Sequence, residues 1–590
     1  MYAKKGMMRE MIKKLAKSIR EFRNVTILTP VFMIGEVVME VIIPLLMAAL
    51  VDNGINGNNG EGDMNYILLM GAALAVCCIV SLFAGFAGAK TGAKASMGFA
   101  RNLRKDMFYK IQSYSFSNID KFSTASLVTR LTTDVTRVQD AFQMIIRIAV
   151  RAPIMLIFSL IMAFIVNAEL SLVFLLAIPI LGVGLILIMR TVHPVFERVF
   201  KRYDKLNNVV QENVSGMRVV KAFVREDYEI EKFKNISGDI YKDFTFAEKV
   251  LAFNNPLMQF CAYGGMLLLA WIGANLIVVD GTLTTGELMS MTTYAMQILM
   301  NLMMLSMIFV MVTMSRASAE RICEVLDEES DINSPEKAAD KVSDGSIEFR
   351  SVSFEYKKGS GNYALSDINI KINSGETIGI IGGTGSSKST LVQLIPRLYD
   401  VSKGSILVGG RDVREYDLET LRDAVAMVLQ KNTLFSGTIK DNLQWGKLDA
   451  TDEEMIEACK LAQADGFIQE FPDKYDTYIE QDGSNVSGGQ KQRLCIARAL
   501  MKKPKILILD DSTSAVDTAT DANIRKAFRE KIPDTTKLII AQRITSVMDS
   551  DKILVLDGGK VVDFGTHEEL MRTSAIYREV YESQQKGSEE

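Results

Sequence analysis

Six long apolar stretches occupy the first half of the chain. They lie near residues 25–51, 66–89, 144–168, 171–189, 256–279 and 288–314. Each is long enough, or nearly so, to cross a lipid bilayer as a helix, which needs about 20 predominantly apolar residues. The pattern therefore predicts a membrane domain of six spans over residues 25–320.

The segments that connect these stretches differ in their content of basic residues. Segments 52–63, 167–169 and 280–287 contain no Lys or Arg, whereas 90–143, 190–250 and the N-terminus are rich in both. Because Lys and Arg are enriched in cytoplasmic segments, both termini and the two long loops are predicted to lie in the cytoplasm of a multi-pass inner-membrane protein. The loops are long enough for the spans to continue as helices into the cytoplasm and to turn back near 123–133 and 212–220.

The residues before the first span follow a helical period. The apolar positions are Met8, Met11, Ile12, Leu15, Ile19 and Phe22, and basic residues fill most positions between them. This pattern predicts an amphipathic helix over 1–24 that lies on the membrane lipid of the inner leaflet. A helix that faces a partner protein is the alternative.

The pattern changes after the sixth span. Residues 327–341 are strongly charged and fall within a predicted linker over 321–345, after which 347–356 alternates as a β-strand does. The remainder has the composition of a soluble α/β domain, predicted over 346–582, and ends in a polar tail over 583–590. The sequence therefore predicts an all-α membrane domain fused to an α/β domain.

The composition agrees with this division. Of the 590 residues 48% are hydrophobic and 23% are charged, which is too apolar for an ordinary soluble enzyme. A formal net charge of -4 gives no indication of a nucleic-acid partner. The six cysteines form no Cys-x-x-Cys pair, so reduced thiols are expected rather than a zinc site.

A glycine-rich loop follows a predicted strand at 377–381 and precedes a helical pattern, which is the context that a phosphate-binding loop requires. Its residues are Gly382, Gly383, Thr384, Gly385, Ser386, Ser387, Lys388, Ser389 and Thr390. In such a loop backbone N–H groups surround the phosphates, Lys388 neutralises their charge and Ser389 ligates Mg²⁺.

A second apolar strand at 506–509 ends in two carboxylates, Asp510 and Asp511. Asp510 is suited to support Mg²⁺ beside the phosphate loop. Either motif alone could arise by chance, as a Gly/Ser loop or as an acidic residue at the end of a strand. Their order and spacing together predict a domain that binds ATP and Mg²⁺.

A third motif lies between these two. It reads Asn485, Val486, Ser487, Gly488, Gly489 and Gln490, followed by Lys491, Gln492 and Arg493. On these motifs the sequence resembles the ABC transporters of the exporter type across essentially its whole length, with Val486 where leucine is usual.

The resemblance implies a half-transporter whose nucleotide-binding domain closes head to tail on that of a second half. Each ATP would lie between one chain's phosphate loop and the other chain's signature, here Ser487 to Gln490. The resemblance also implies that Tyr356 stacks on adenine, that Gln430 is the Q-loop glutamine at the catalytic Mg²⁺ with Ser389 and Asp510, and that the two cytoplasmic turns are coupling helices. Residues 514–517 would form the D-loop.

The sequence departs from the family pattern at three positions. Ser387 precedes the loop lysine where the family has glycine, and a side chain there costs on the order of 1 to 2 kcal/mol if φ is positive. Asp511 replaces the catalytic glutamate and is one methylene shorter. Gln542 replaces the switch histidine and cannot carry a titratable proton.

All three departures fall on one composite ATP site, whereas the signature is intact. The arrangement resembles the degenerate-site subunit of heterodimeric bacterial multidrug exporters. The expected partner is then a second ABC half-transporter with a competent glutamate and a switch histidine. Independent drift that leaves a slow but working homodimer is the alternative.

Two features of the spans are candidates for a substrate cavity. Glu36 and Glu40 lie four residues apart in the first span, where they could attract cationic small molecules or pair with Arg147 or Arg151. Methionines recur at helical spacing in the sixth span, as adaptable cavity residues or as a packed seam. They are Met296, Met300, Met303, Met304, Met307, Met311 and Met314.

These inferences predict ATP-dependent export of amphipathic or hydrophobic small molecules. A homodimeric exporter of lipid, drug or peptide is the first alternative. An ATP-gated regulatory membrane protein without net transport is an alternative of a different class. The sequence identifies neither the cargo nor the partner.

Overall fold

The computed structural model describes residues 2–57, 62–511 and 516–589. These residues group into two compact units. The first unit comprises residues up to 112 and 124–328, and the second comprises 113–123 together with the residues from 329 onward.

Helices account for most of the first 328 residues. They are α1 (Tyr2–Ala16), α2 (Arg23–Ala49), α3 (Met64–Gln112), α4 (Phe116–Lys121), α5 (Thr124–Thr129), α6 (Val135–Val166), α7 (Ala168–Ser215), α8 (Met217–Ala222), α9 (Glu226–Ala252), α10 (Asn254–Val278) and α11 (Thr285–Asp327). Helix α4 belongs to the second unit and the others to the first.

Six helical stretches in the described part of the chain are long and apolar enough to cross a membrane. They are Met8–Ile55, Met64–Gln112, Thr124–Val166, Ala168–Ser215, Glu226–Val278 and Thr285–Asp327. This finding confirms the six predicted spans. Helices α3 and α7 contain 49 and 48 residues, more than twice the length that a bilayer requires, so both continue beyond the apolar layer.

Buried polar contacts fix the helices of the first unit against one another. Tyr294 of α11 is fully buried and donates a hydrogen bond of 2.8 Å to the carbonyl oxygen of Val41 in α2. Asp134, which is 1% exposed, accepts hydrogen bonds from Ser318 and from two nitrogens of Arg321. A buried carboxylate needs such partners, so α6 and α11 are held in one register at this end.

Several predicted boundaries differ from the structure. The first turn lies at 113–123, around α4, and so begins earlier than predicted, whereas α8 agrees with the second turn. Helix α1 ends at Ala16, and Arg20, with φ 40°, interrupts the following short turn. Helix α11 continues to Asp327, so the predicted linker begins at least seven residues too early, because its first charged residues extend the helix.

Two larger sheets and one small ribbon form the framework of the second unit. The strands are β1 (Ile347–Phe354), β2 (Leu365–Ile372), β3 (Thr377–Gly382), β4 (Lys403–Val408), β5 (Arg411–Asp412), β6 (Val425–Val428), β7 (Gly437–Thr438), β8 (Tyr478–Ile479), β9 (Ile506–Asp510), β10 (Thr536–Ile540), β11 (Lys552–Asp557) and β12 (Lys560–Gly565). The strand orders are β2-β1-β4-β5, β12-β11-β3-β10-β9-β6 and β7-β8.

Helices of the second unit pack on the larger sheet and on one another. They are α12 (Lys388–Gln393), α13 (Leu418–Ala424), α14 (Ile439–Gln444), α15 (Asp452–Leu461), α16 (Asp465–Glu470), α17 (Gly488–Leu500), α18 (Thr518–Lys531), α19 (His567–Thr573) and α20 (Ala575–Glu589). The residues assigned to a polar tail are therefore helical as far as Glu589, because they continue α20.

The central strands of the six-stranded sheet are parallel and buried on both faces. Every residue of β9 and β10 is buried, as expected of parallel strands covered on both sides. Strand β10 pairs with β3 and β9, and Ile540 stands opposite both Ile380 and Asp510. The carboxyl ends of β3, β9 and β10 therefore meet at one edge, where the motif residues lie.

Candidate functional site

The phosphate loop connects β3 to α12. Gly382 begins it, and a Cβ there would lie 2.1 Å from the carbonyl oxygen of Leu556, so the close approach of β11 requires glycine. Gly383, Thr384 and Gly385 are exposed, whereas Ser386 is buried. The loop thus presents its backbone at the surface while one side chain anchors it.

Ser387 adopts the left-handed backbone conformation that the sequence analysis anticipated. Its φ is 69° and its ψ is 28°. Glycine adopts these angles without strain, whereas a residue with a side chain pays on the order of 1 to 2 kcal/mol. The serine is therefore accommodated with backbone strain at the start of α12.

The lysine of the loop and the two carboxylates after β9 form one electrostatic group. Lys388 Nζ donates to the carbonyl oxygens of Gly382 and Gly383 at 2.8 and 2.9 Å. Burial lowers the pKa of Lys388, and the nearby Asp511 and Asp510 oppose that shift. Burial likewise raises the pKa of Asp510 above its ordinary value, and a hydrogen bond from Ser389 opposes it.

Ser389 and Asp510 fit the ligation of Mg²⁺. Ser389 Oγ donates to Asp510 Oδ1 at 2.9 Å, although 121 residues separate the two. A hydroxyl and a carboxylate at this distance offer the oxygen ligands that Mg²⁺ prefers. These two residues would hold the ion, which would supply charge neutralisation at the phosphates.

Gln430 lies at the same edge of the sheet by strand order. It is exposed and follows β6, whose Val428 stands opposite Leu509 of β9. It is two residues beyond the end of its strand, on the carboxyl side where Asp510 also lies.

Tyr356 stands beside the phosphate loop as a half-exposed ring. Its hydroxyl lies 2.9 Å from Thr390 Oγ1, and its ring packs edge-on against Tyr399 with 5.4 Å between centroids. A flat aromatic face held in this way is suited to stack on a base.

Tyr399 also contacts the segment around α4. Its hydroxyl donates to Asp120 Oδ2 at 2.6 Å, and its ring lies 6.0 Å from that of Phe116. Burial raises the pKa of Tyr399, which keeps the hydroxyl a neutral donor. Contacts thus run from Thr390 through two tyrosine rings to the turn around α4, a connection that the sequence did not predict because no local pattern marks it.

Asp511 and Gln542, which were predicted to occupy the catalytic-glutamate and switch-histidine positions, are in contact. Gln542 Nε2 donates to Asp511 Oδ2 at 2.7 Å. They line a pocket of about 130 Å³ together with Arg543 and Thr545. Burial raises the pKa of Asp511, and the hydrogen bond from Gln542 opposes that shift.

The signature caps a helix at the surface. Ser487 Oγ accepts from the N–H of Gln490, and Gln490 Oε1 accepts from the N–H of Ser487, which forms a capping box at the start of α17. Ser487 and Gly488 are exposed. Within the described residues no hydrogen bond or ion pair joins residues 487–490 to the phosphate loop of the same chain.

The predicted D-loop lies only partly within the described residues. Positions 512–515 are outside them, so Ser514 and Ala515 of the motif receive no structural account. Asp517 caps α18 by accepting from the N–H of Thr520 at 2.9 Å.

The intramembrane carboxylates lie beside an arginine. Glu40 forms an ion pair with Arg151 Nη2 at 2.6 Å, and Glu36 Oε1 lies 3.7 Å from Arg151 Nε. Of the two arginines considered from the sequence, Arg151 pairs with these carboxylates, and no ion pair of Arg147 occurs among the described residues. Both carboxylates thus stand at the contact of α2 with α6.

The methionines of α11 divide into two groups. Met296 is half-buried and packs against a cluster that contains Leu181 and Leu299. The rest of the stripe is largely exposed in the single chain, and the exposed methionines are Met300, Met303, Met304, Met307 and Met314. The interpretation of these methionines as a packed helix contact therefore holds for Met296 within one chain. The exposed methionines are available to contact a substrate or a second chain.

Comparison with known proteins agrees with the two-part architecture. Residues 26–303 match the family model described as ABC transporter transmembrane region. Residues 365–514 match the family model described as ABC transporter. The chain is 38% identical to the uncharacterized ABC transporter ATP-binding protein YfiB of Bacillus subtilis (strain 168) over 561 residues, which cover 95% of this chain and 96% of that protein.

Two further similarities extend this result. The chain is 33% identical to an ATP-dependent lipid A-core flippase of Desulfotalea psychrophila (strain LSv54 / DSM 12343), with 83% of this chain and 85% of that protein covered. Its fold is similar to the solved structure of a bacterial Atm1-family ABC exporter with ATP bound, at a TM-score of 0.78 and 23% identity, over 98% and 99% of the two chains. The chain therefore belongs to the ABC transporters, as a half-transporter with an exporter-type fold in which a membrane region of six spans is fused to an ATPase domain.

Proposed function

We propose that this chain is the slowly hydrolysing half of a heterodimeric ABC exporter that moves amphipathic or hydrophobic small molecules out across the cytoplasmic membrane. The hydrogen bond between Gln542 and Asp511 is the observation that carries the proposal. It joins the two positions at which the sequence departs from the family's hydrolytic residues.

The proposal follows from what a general base must do. A carboxylate one methylene shorter is drawn back by about 1.5 Å from the water it must activate, which costs on the order of 100-fold in rate. Gln542 also donates a hydrogen bond to that carboxylate, which opposes the rise in the pKa of Asp511 that burial produces and so limits its gain in basicity. Water activation and γ-phosphate contact are therefore both impaired at this chain's own site.

Nucleotide binding is retained in this proposal. Lys388, the Ser389–Asp510 pair and the Tyr356 ring provide phosphate, Mg²⁺ and base contacts. The exposed signature at Ser487 would complete the competent site of a partner half that carries the glutamate and the histidine. One chain then holds ATP while the other hydrolyses it.

The distribution of basic residues supports the orientation. Loops 90–143 and 190–250 are rich in Lys and Arg, and the three opposite connections lack both. The proposed arrangement places the nucleotide-binding domain and both termini in the cytoplasm.

The exposed methionines of α11 support an apolar cargo. Thioether side chains are polarizable and flexible, so a surface of Met300, Met303 and Met307 adapts to unlike hydrophobic molecules. Glu36 forms the longer of the two ion pairs with Arg151, at 3.7 Å against 2.6 Å for Glu40, and is therefore the better candidate to attract a cation.

A second candidate is a homodimeric exporter of lipid. The name of the flippase relative supports it, since that protein is 33% identical over most of both chains. In this case two copies of the chain would form both ATP sites, and both sites would contain Asp511 and Gln542. The hydrolysis rate of the isolated chain separates the two candidates.

Restoring the hydrolytic residues tests the proposal directly. The purified full-length chain in lipid nanodiscs is expected to hydrolyse ATP slowly, and the double variant Asp511→Glu, Gln542→His about 10- to 100-fold faster, because the base regains its reach. Steady-state phosphate release measures both. Adding Lys388→Ala to the double variant serves as the control and is expected to remove the gain. Fast, substrate-stimulated hydrolysis by the unaltered chain would contradict the proposal.

The assembled pair, copurified from native membranes, separates the roles of the two ATP sites. Asp511→Asn is expected to change turnover less than about 3-fold, whereas Ser487→Arg is expected to lower it by about 10-fold or more, because the signature serves the partner's site. ATPase assays compare the two variants, after melting curves have shown that both have the same melting temperature. Equal large losses would show that the sites are assigned to the wrong chains.

The strain at Ser387 predicts an effect on affinity alone. Ser387→Gly is expected to tighten ATP binding by about 5- to 30-fold, which corresponds to about 1 to 2 kcal/mol, without producing fast turnover. Nucleotide titration measures it. Gly385→Ser, at φ 82°, is the converse variant and is expected to weaken binding. Unchanged affinity in Ser387→Gly would mean that serine is neutral at this position.

The two intramembrane carboxylates are expected to respond differently. Glu36→Gln is expected to lower export of permanent cations by about 3- to 10-fold and to spare neutral compounds, since only cations lose Coulomb attraction. Glu40→Gln is expected to reduce thermal stability, because Arg151 loses its ion-pair partner. Paired transport assays and melting curves check these outcomes. Equal loss of both cargo types in Glu36→Gln, with less folded protein, would make Glu36 structural.

A further inference from the structure

The C-terminal helix α20 is anchored in the core of the second unit. Tyr577 is fully buried, and its hydroxyl lies 2.6 Å from Nδ1 of His567 in α19. Val580 and Tyr581, which follow on the same face, pack against the core cluster that contains Ile539 and Ala541. These contacts fix the first turns of the helix against the core.

One residue beyond this anchor reaches the backbone that follows β10. Gln584 Nε2 donates to the carbonyl oxygen of Gln542 at 2.8 Å, and Gln584 Oε1 accepts from the N–H of Ile544 at 2.9 Å. The side-chain amide of Gln584 thus donates to the backbone carbonyl of Gln542 and accepts from the backbone N–H of Ile544, two residues further along. Such a two-point contact fixes both the position and the orientation of a peptide segment.

The segment held in this way carries the side chain that faces Asp511. Gln542 is bonded to Gln584 through its backbone carbonyl and to Asp511 through its side-chain amide. After Gln542 the chain runs through Arg543 into a short turn over Ile544–Ser546, so no long element of its own secondary structure fixes it. The position of the Gln542 side chain therefore depends on what holds this backbone.

We infer that Gln584 is a positioning residue for ATP hydrolysis, through which the C-terminal helix sets the backbone of Gln542 against the γ-phosphate. The inference rests on the part of the proposed function that assigns Gln542 to the switch position. It does not depend on whether the partner chain is different or identical. In this proposal Gln584 acts only through Gln542.

A purely structural contact predicts a different response from a positioning contact. Loss of packing would lower stability and weaken nucleotide binding together with the rate. Loss of positioning lowers the rate of hydrolysis while the adenine and phosphate contacts, which lie on other segments, keep the affinity. The maximal rate and the half-saturating ATP concentration therefore separate the two.

The test is single-turnover hydrolysis of γ-labelled ATP by an excess of the full-length chain, which resolves rates too slow for steady-state assays. Gln584→Ala is expected to lower the maximal rate by about 3- to 10-fold and to change the half-saturating concentration by less than about 2-fold. Gln584→Glu, which has the same shape, retains the acceptor but loses the donor at the Gln542 carbonyl. It is expected to be at least as slow as Gln584→Ala.

Two comparisons make the result specific. Gln585→Ala alters the next residue, whose amide donates to Tyr581 within the same helix, and is expected to leave the rate unchanged. Gln542→Ala combined with Gln584→Ala is expected to be no slower than Gln542→Ala alone, because one residue acts through the other.

Two other outcomes would contradict different parts of the inference. Additive losses in the double variant, or a rate loss accompanied by lower melting temperature and weaker binding, would overturn the positioning role of Gln584. A Gln542→Ala variant with an unchanged rate would instead overturn the assignment of the switch position, whatever Gln584 does.

Discussion

The parallel pairing of β3, β10 and β9 is the constraint on which the ATP site depends. Ile540 stands opposite Ile380 on one side and Asp510 on the other, so β9 and β10 end level with each other and β3 ends two residues further on. The phosphate loop, the Asp510–Asp511 pair and Gln542 each lie at the end of one of these strands or within two residues of it. A shift of one residue in this register would reverse the facing of every side chain along the strand and separate Ser389 from Asp510.

The same edge explains why three departures from the family pattern act together. Ser387, Asp511 and Gln542 lie in separate parts of the sequence, yet the sheet brings their segments to one site. Asp511 and Gln542 are in direct contact, so the effect of one substitution depends on the other. Tyr356 and the Ser389–Asp510 pair stand at the same site with their hydrogen bonds intact. In the proposed function, Asp511 and Gln542 are therefore the residues whose change slows hydrolysis, whereas the groups that bind the nucleotide are retained.

Local chemistry was predictable from the sequence and distant contacts were not. The six spans follow from apolar runs, and the positive φ of Ser387 follows from the glycine that the family has there. Three features were not predicted, and each involves residues between 42 and 279 positions apart. They are the choice of Arg151 over Arg147 as the ion-pair partner of Glu40, the hydrogen bond of Tyr399 to Asp120 and the hydrogen bond of Gln584 to Gln542. The periodicity of apolar and polar residues along the chain does not predict contacts between such distant positions. The helical state of residues 583–589 was not predicted for the same reason, because a polar composition did not reveal a helix whose anchor lies at Tyr577.

A site that binds ATP but turns it over slowly has a physical use in the proposed pair. ATP that binds only when the two nucleotide-binding domains are closed stabilises the closed pair by RT ln(1 + [L]/Kd). This amounts to about 4 kcal/mol when the ATP concentration is 1,000 times its Kd. If hydrolysis at this site is slow, that stabilisation persists through several turnovers of the partner's site. Strain at Ser387 reduces the affinity and so reduces the stabilisation by on the order of 1 to 2 kcal/mol. The serine then weakens the hold on ATP without removing it, which leaves the closed arrangement able to reopen when the partner's nucleotide is spent.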